Sequence, residues 1–237
     1  ADELDVLEQV VFFRQGLEAL GYEVLVSPFD YDLKQLEAWL KKNQPQFAVN
    51  LTETLFGSGR LVHLAPALLE HFQIPFTGCS SDAIYLSSHK IIAKRWMMAH
   101  GIPTPSFTDA ANAGRMLPSG AQTEYIIKSV WEHASYGLDE KQKLIFSGQD
   151  DLMKGFMSKD DPASYFAEEY IHGREFNVSV LDSGTGPRVL PLAEIVFDYP
   201  ESMPRIVGYR AKWDQDSFEY KNTRRVFLDE SQEPELQ

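Results

Sequence analysis

The chain has 237 residues, of which 43% are hydrophobic, and a net charge of −13. This charge argues against a general nucleic-acid binder and against a protein that binds anionic membranes, because both need a basic surface. The single cysteine, Cys79, excludes an intrachain disulfide framework. No apolar run is long enough to span a bilayer and no signal peptide precedes Ala1, so we expect a cytoplasmic protein.

The first part of the chain alternates helical and extended patterns. Apolar residues recur at helical spacing over residues 4–20, and Gly21 ends that pattern. Further helices are predicted over 33–42, 59–72 and 80–87, with short strands over 22–26, 47–51 and 74–77. Strands that alternate with helices predict a parallel sheet covered by helices on both faces, which is an α/β arrangement.

A helix predicted over 88–100 precedes a different pattern. Gly101 and two prolines end this helix, and residues 110–120 have the composition of a loose connection. Beyond it, strands are predicted over 125–130, 144–147, 165–171, 175–181 and 189–197, with one helix over 150–158. This second part is therefore of the α+β type.

Lysines at the ends of predicted elements are the first candidate site residues. An apolar run ends in Lys128, and a polar loop containing Ser135 follows it. A phosphate needs a cation fixed at a strand end, with backbone N–H groups and a hydroxyl above it. Lys90 and Lys94 leave one face of a helix, where an anion between them would relieve their repulsion. Spacing alone favours a solvated helix face for that pair.

Carboxylates and a later lysine supply further candidates. Glu168, Glu169 and Ile171 close a predicted strand, and Glu175 follows a turn, so that carboxylates are available for an adenine amino group and a ribose diol. An acidic edge strand that avoids aggregation explains the same pattern equally well. Lys212, beside aromatic residues, suits either a mobile lid that reaches a γ-phosphate or a packed aromatic loop.

Taken in order, these segments resemble the D-alanine–D-alanine ligase family of the ATP-grasp fold. The resemblance rests on PALLE at 66–70, IPFTG at 74–78, His89-Lys90 with Lys94, GIPTP at 101–105, Ile127-Lys128, Ser135 with Gly137, EEYI at 168–171, GREF at 173–176 and AKW at 211–213. It implies an N-terminal parallel αβ domain over 1–87, a central domain over 88–167 and a partial C-terminal domain over 168–237.

The resemblance also implies residue roles. Lys90 and Lys128 would bind the α- and β-phosphates of ATP, Ser135 would cover the phosphates, and Lys212 would reach the γ-phosphate. Glu168, Glu169 and Ile171 would recognise adenine, and Glu175 the ribose. Lys212, Ser135 and Tyr209 become the candidate catalytic residues. Residues 130–138 and 206–223 would be lids that ATP orders.

The family's reaction joins two small amino acids through an acyl phosphate, with ATP and Mg²⁺, in peptidoglycan precursor synthesis. A homodimer is a further expectation, as is the absence of nucleic-acid and membrane partners. The family's magnesium ligands would lie beyond Gln237, so the metal ligands are unknown and we expect little turnover from these residues alone.

Several positions depart from the family pattern. His89 replaces an aspartate, Ser129 a proline and Trp213 a tyrosine, and residues 52–59 differ from the family's substrate segment. The N-terminal glycine-rich strand and loop has no counterpart. Two alternatives therefore stay open, namely a ligase of this fold for another amino acid or peptide, and a non-catalytic nucleotide-binding protein.

Overall fold

Helices dominate the first hundred residues and strands dominate the rest of the computed structural model, which describes residues 2–29, 32–113, 123–133, 135, 138 and 144–228. The α-helices are α1 (Asp2–Ala19), α2 (Leu33–Asn43), α3 (Leu64–His71), α4 (Ser81–Ser88), α5 (Lys90–Ala99), α6 (Gly148–Met157), α7 (Tyr209–Trp213) and α8 (Phe218–Lys221). The strands are β1 (Phe107–Asp109), β2 (Glu124–Ser129), β3 (Ile145–Ser147), β4 (Tyr165–Glu169), β5 (Glu175–Asn177), β6 (Val180–Asp182), β7 (Pro187–Val189), β8 (Ala193–Phe197) and β9 (Thr223–Phe227). Short 3₁₀ turns lie at Gly59–Leu61 and Pro162–Ser164.

The chain divides into two compact units. The first comprises Ala1–Thr104, Ser129–Ala134 and Asp161–Phe166, and the second comprises Pro105–Lys128, Ser135–Asp160 and Ala167–Gln237. The division into three domains at residues 87 and 167 stays a prediction. Among the described residues, no helix combines the length and the hydropathy that crossing a membrane requires.

The helices of the first unit begin where their capping residues predict. Asp32 accepts hydrogen bonds from the backbone N–H groups of Lys34 and Gln35 at the start of α2, and Ser80 caps α4 through the N–H of Ala83. Such caps satisfy amide groups that have no partner inside the helix. Five predicted helices are confirmed, at 4–20, 33–42, 80–87, 88–100 and 150–158, whereas the helix predicted over 59–72 divides into a 3₁₀ turn and α3.

In the described part of the first unit, a parallel bridge between single residues stands in place of the three predicted strands. Ala48 pairs with Phe76, with hydrogen bonds from Ala48 N to the carbonyl of Pro75 (2.8 Å) and from Thr77 N to the carbonyl of Ala48 (3.0 Å). Residues 22–26 are irregular, and Leu25 and Val26 are about half exposed. An apolar run becomes a strand only where another strand accepts and donates its hydrogen bonds. No described strand pairs with this segment, and Tyr22 N donates instead to the carbonyl of Leu17 (3.1 Å).

Three sheets carry the second part of the chain. Four strands form the first in the order β1-β4-β2-β3, three form the second in the order β5-β8-β9, and β6 pairs with β7. The predicted strands at 175–181 and 189–197 are each divided in two. In the second sheet Glu175 lies opposite Ile195, which lies opposite Arg225, so these three residues share one face.

Helix α6 covers the buried strands β2 and β3. Leu152 and Phe156 on α6 are fully buried, and Gly155 comes so close that a Cβ atom there would lie 2.5 Å from Phe146 and 2.7 Å from Ile127. Contacts this short exclude every larger residue unless the neighbours move. This packing fixes β2, the strand that carries Lys128.

Candidate functional site

The first element of the candidate site is an ion pair at the end of β2. The side chain of Lys128 binds the carboxylate of Glu168 on β4, and the two side chains keep 30% and 14% of their exposure. The preceding residues of β2, Tyr125, Ile126 and Ile127, are buried and hold the strand in its sheet. A residue predicted to bind phosphate and one predicted to bind adenine are therefore direct neighbours.

Glu175 lies within electrostatic range of Lys128, and Lys212 lies within range of Glu175. Desolvation by the surrounding protein raises the pKa of Glu175, although Glu175 and Lys212 are both exposed residues, and the positive charges of Lys128 and Lys212 act in the opposite direction. Desolvation lowers the pKa of Lys212, and Glu175 opposes that shift. We refer to Lys128, Glu168, Glu175 and Lys212 as the charged cluster. Its two cations are within electrostatic reach of one carboxylate, an arrangement suited to an anionic ligand that also offers hydroxyl groups.

The segment that joins β4 to β5 is held from both sides. Glu169 accepts a hydrogen bond from the hydroxyl of Ser106 (2.8 Å), and Tyr170 N donates to the carbonyl of Glu124 (2.8 Å). His172 Nε2 lies 2.7 Å from the carboxylate of Glu124. Ile171, between these anchors, is 58% exposed. The structure thus gives Glu169 a protein partner and leaves the side chain of Ile171 accessible.

Beneath this segment lies a small apolar core that the sequence analysis missed. Ile126, Leu138, Leu144 and Ile206 are buried together, and Ile145 and Tyr170 pack against them. Ile206 comes from a segment that was interpreted only as a lid. Its burial to 7% exposure shows that this segment also contributes to the core of the second unit.

The two segments predicted as lids contact each other. Ser135 has a positive φ of 63° and donates its hydroxyl hydrogen bond to the carbonyl of Val207 (2.8 Å). Tyr209 N donates to the carbonyl of Leu138 (2.8 Å). Residues 134, 136, 137 and 139–143, which include Gly137 of the predicted phosphate loop, lie outside the described residues. Whether nucleotide orders either segment stays a prediction.

In the first unit, Lys90 begins α5 next to the loop that follows β2. Its Nζ donates to the carbonyl of Glu132 (2.5 Å), and its backbone N donates to the carbonyl of Val130 (3.0 Å). The carboxylate of Glu132 accepts from the N–H of Gly59 at 3.3 Å. Gly59 is needed there, because a Cβ atom would lie 2.9 Å from the carbonyl oxygen of Trp131. Lys90 is thus held by the loop that was predicted to cover phosphates.

His89 acts as the N-cap of α5. Its Nδ1 accepts a hydrogen bond from Ile92 N (3.2 Å), which requires an unprotonated nitrogen. Desolvation lowers the pKa of His89, and the charges of Arg95, Arg60 and Lys90 lower it further. The neutral imidazole therefore takes over the role that an aspartate would have at this position.

Lys94 departs from the interpretation that its spacing favoured. The residue is only 6% exposed, and its Nζ donates to the hydroxyl of Thr104 (2.7 Å). The helix face that carries Lys90 and Lys94 was expected to be solvated, but Lys94 is buried inside the protein. The solvated face is therefore wrong for Lys94, and an anion between Lys90 and Lys94 stays a prediction.

The described residues contain no group of three or more His, Cys, Asp or Glu side chains that would hold a metal ion. Two carboxylates that could be considered as metal ligands already have arginine partners. Glu194 forms a bidentate ion pair with Arg174, and Asp214 lies 3.4 Å from Arg210. The part of the chain with known placement thus fits a nucleotide better than it fits a metal ion.

Comparison with curated proteins finds similar chains among D-alanine–D-alanine ligases. The ligase of Marinomonas sp. is 30% identical over 226 residues, which cover 94% of this chain and 67% of that protein. The ligase of Bordetella pertussis is 34% identical over 131 residues, or 54% of this chain and 40% of that protein. The chain thus spans less than half the length of the Bordetella relatives that it matches. No family model matches the chain.

Solved structures of the same enzymes share the fold. A D-alanine–D-alanine ligase of Bacillus anthracis superposes with a TM-score of 0.56 at 20% identity, over 92% of this chain and 66% of that one. A structure of the ligase of that organism complexed with ATP gives a TM-score of 0.55 at 17% identity, over 88% and 60%. Because both identities are low, these matches establish the ATP-grasp fold and nothing further.

Proposed function

We infer that this protein is an ATP-dependent carboxylate–amine ligase, because the chain belongs to the D-alanine–D-alanine ligase family. The observation that carries the proposal is the charged cluster, in which Lys128 forms an ion pair with Glu168 and Glu175 lies within electrostatic range of Lys128 and Lys212. Two cations and two carboxylates in one unit are the groups that a nucleoside triphosphate requires for its phosphates, its amino group and its sugar hydroxyls.

The family resemblance gives each member of the charged cluster a role that its chemistry suits. Lys128 and Lys212 offer N–H donors and positive charge to phosphate oxygens, and Lys212 is the one that reaches the γ-phosphate. Glu175 accepts hydrogen bonds from ribose hydroxyls. Glu168, already held by Lys128, accepts from the adenine amino group.

Other residues complete the proposed nucleotide site. Glu169 and the exposed Ile171 line the adenine side, and the hydroxyl of Ser135 would leave Val207 to cover phosphate oxygens. Tyr209, whose backbone N is bound to the carbonyl of Leu138, completes the covering segment. For Lys90, in the first unit, α- or β-phosphate binding remains a prediction from the family resemblance.

The reaction that we propose has two steps. A carboxylate oxygen of the first amino acid attacks the γ-phosphorus of ATP, which gives an acyl phosphate and ADP. The amine of the second amino acid then attacks the acyl carbon, which forms an amide and releases phosphate. The protein's contribution is to position the reactants and to neutralise charge, and Lys128 and Lys212 supply that charge.

Magnesium would accompany ATP in such a reaction and would neutralise phosphate charge. The described residues contain no cluster of metal-binding side chains, so they do not fit a resident ion, and we assign no ligand to it.

The substrate that we propose is D-alanine, for peptidoglycan precursor synthesis. A second candidate is another small amino acid or peptide, and residues 52–59 favour it because their sequence differs from the family's substrate segment. In this segment Leu55 is buried and pairs with Ser58, whereas Phe56 is 66% exposed. An exposed aromatic side chain there would meet a substrate differently from the family's polar residues.

Two measurements on the intact protein test these proposals. Calorimetric titration with ATP and ADP tests the nucleotide site, and absence of binding would overturn it. Phosphate release from ATP is then measured with D-alanine, with L-alanine and with the other amino acids in turn. Release that depends on D-alanine supports the first candidate, and release that depends only on another amino acid supports the second. Nucleotide binding without any amino-acid-dependent release would make the protein a non-catalytic nucleotide binder.

A further inference from the structure

The segment that carries Lys212 is a helical hairpin with a charged interior. Helix α7 presents Arg210 and Lys212 two residues apart, which places them about 200° apart around the helix axis. Arg210 therefore faces one side of the hairpin and Lys212 the other. Arg210 NH1 donates to Glu219 Oε1 of α8 at 2.8 Å, and its Nε lies 3.4 Å from Asp214.

Glu219 is the unusual member of this hairpin. Its side chain is only 6% exposed, while that of Arg210 is 24% exposed. Oxygen Oε2 of Glu219 is buried and has no hydrogen-bond partner among the described atoms. A buried carboxylate is costly unless it is paired, and loss of its partner leaves an uncompensated charge. Any rotation of α7 that moves Arg210 away is therefore strongly opposed.

Further hydrogen bonds tie the same hairpin to itself and to the second sheet. Ser217, 3% exposed, donates from its hydroxyl to the carbonyl of Arg210 (3.2 Å) and accepts from Tyr220 N (3.0 Å). The hydroxyl of Tyr199, next to β8, donates to the carbonyl of Glu219 (3.3 Å). These contacts fix the rotation of α7 about its axis. Lys212 lies on the side opposite Arg210 and within electrostatic range of Glu175.

We propose that Glu219 is a positioning residue for Lys212. Through its ion pair with Arg210 it fixes the rotation of α7 and directs the lysine toward the other members of the charged cluster. This inference rests on the proposed function of that cluster in binding ATP. It differs from a general role in folding, because it requires the effect of Glu219 on ATP to pass through Lys212.

A double-mutant cycle on the intact protein tests this coupling. Glu219→Gln, which keeps the shape but removes the charge, should weaken ATP binding about fivefold, or about 1 kcal/mol. Lys212→Met should weaken it at least as much. In the double variant the Glu219 substitution should have no further effect, since the lysine on which it acts is gone. Asp198→Asn is the matched control, because it breaks an ion pair with Arg224 whose side chains are 57% and 56% exposed.

The outcomes separate this inference from the proposed function. Additive losses in the double variant, or an unchanged ATP affinity in Glu219→Gln, overturn the positioning role. No ATP binding by the parent protein, or an unchanged affinity in Lys212→Met, overturns the proposed role of the cluster instead. If Glu219→Gln does not fold, Arg210→Lys replaces it in the same cycle, because it keeps the buried pair charged but loses the planar guanidinium contact.

Discussion

Replacement of Lys128 separates its contribution to folding from its contribution to ligand binding. Lys128→Met keeps an apolar stem of similar length and removes the charge, and it leaves Glu168, with 14% exposure, without its cation. Loss of one partner from a fully buried pair costs about 3–5 kcal/mol. Because the Lys128 side chain retains 30% exposure, water screens the pair, and we expect a loss of about 1–2 kcal/mol of unfolding free energy.

The effect on ATP binding has a different origin. A charge-assisted hydrogen bond to a phosphate contributes about 1.5–3 kcal/mol, so the affinity should fall about tenfold to 150-fold. Glu168→Gln removes the carboxylate charge that faced Lys128 from the Met variant without restoring a cation. The double variant Lys128→Met/Glu168→Gln should therefore regain most of the stability but not the affinity for inorganic triphosphate, a probe that lacks adenine.

Urea denaturation measures the stability, and calorimetry with ATP and with triphosphate measures the affinity. Lys154→Met, which removes a lysine near the end of α6, is the control for a change in net charge. Triphosphate affinity in Lys128→Met equal to that in the control would refute the assignment of Lys128 as a phosphate ligand, whatever happens to stability.

Three further predictions concern stability in the absence of ligand. His89→Asn should keep the cap of α5 and should abolish the loss of stability that the parent protein shows as pH falls through the lowered pKa of His89. His89→Ala should cost about 1 kcal/mol at neutral pH, and urea denaturation at several pH values would contradict both expectations if all three proteins responded alike. Because the pKa of Glu175 is raised, the folded protein keeps a proton on this carboxyl at pH values where the unfolded chain has lost it. The free energy of unfolding should therefore fall as pH rises from the ordinary pKa of glutamate through the raised pKa. Glu175→Gln should lack that decline, which parallel melting curves between about pH 4 and 7 would detect. Gly155→Ala should destabilise the protein by about 2 kcal/mol, because the contact with Phe146 outweighs the gain in helix propensity. Gly16→Ala, in open space on α1, should be neutral or stabilising in the same urea series.

Helix positions could be predicted because their determinants are local. The apolar spacing and the residues that bound α1, α2, α4 and α5 lie within a few positions of each helix, and the structure confirms them. The order of short motifs along the chain was equally local, and it predicted the family that the comparisons support. Lys128, Glu168, Glu175 and Lys212 were all identified at this level.

Pairing between distant segments could not be predicted in the same way. Residues 22–26 have a strand-like pattern, but no described strand pairs with this run. Lys94 was assigned to solvent or to an anion, yet Thr104 lies within hydrogen-bonding distance across a turn. The ion pair of Lys128 with Glu168 and the burial of Glu219 likewise depend on how elements pack, which spacing does not encode.

The edge-on contact between His89 and Trp131, with ring centroids 4.5 Å apart, gives the protein an internal optical reporter. A protonated imidazole quenches the fluorescence of an adjacent indole, whereas a neutral one does so far less. In a variant that keeps Trp131 as its only tryptophan, emission should therefore dim as His89 gains its proton.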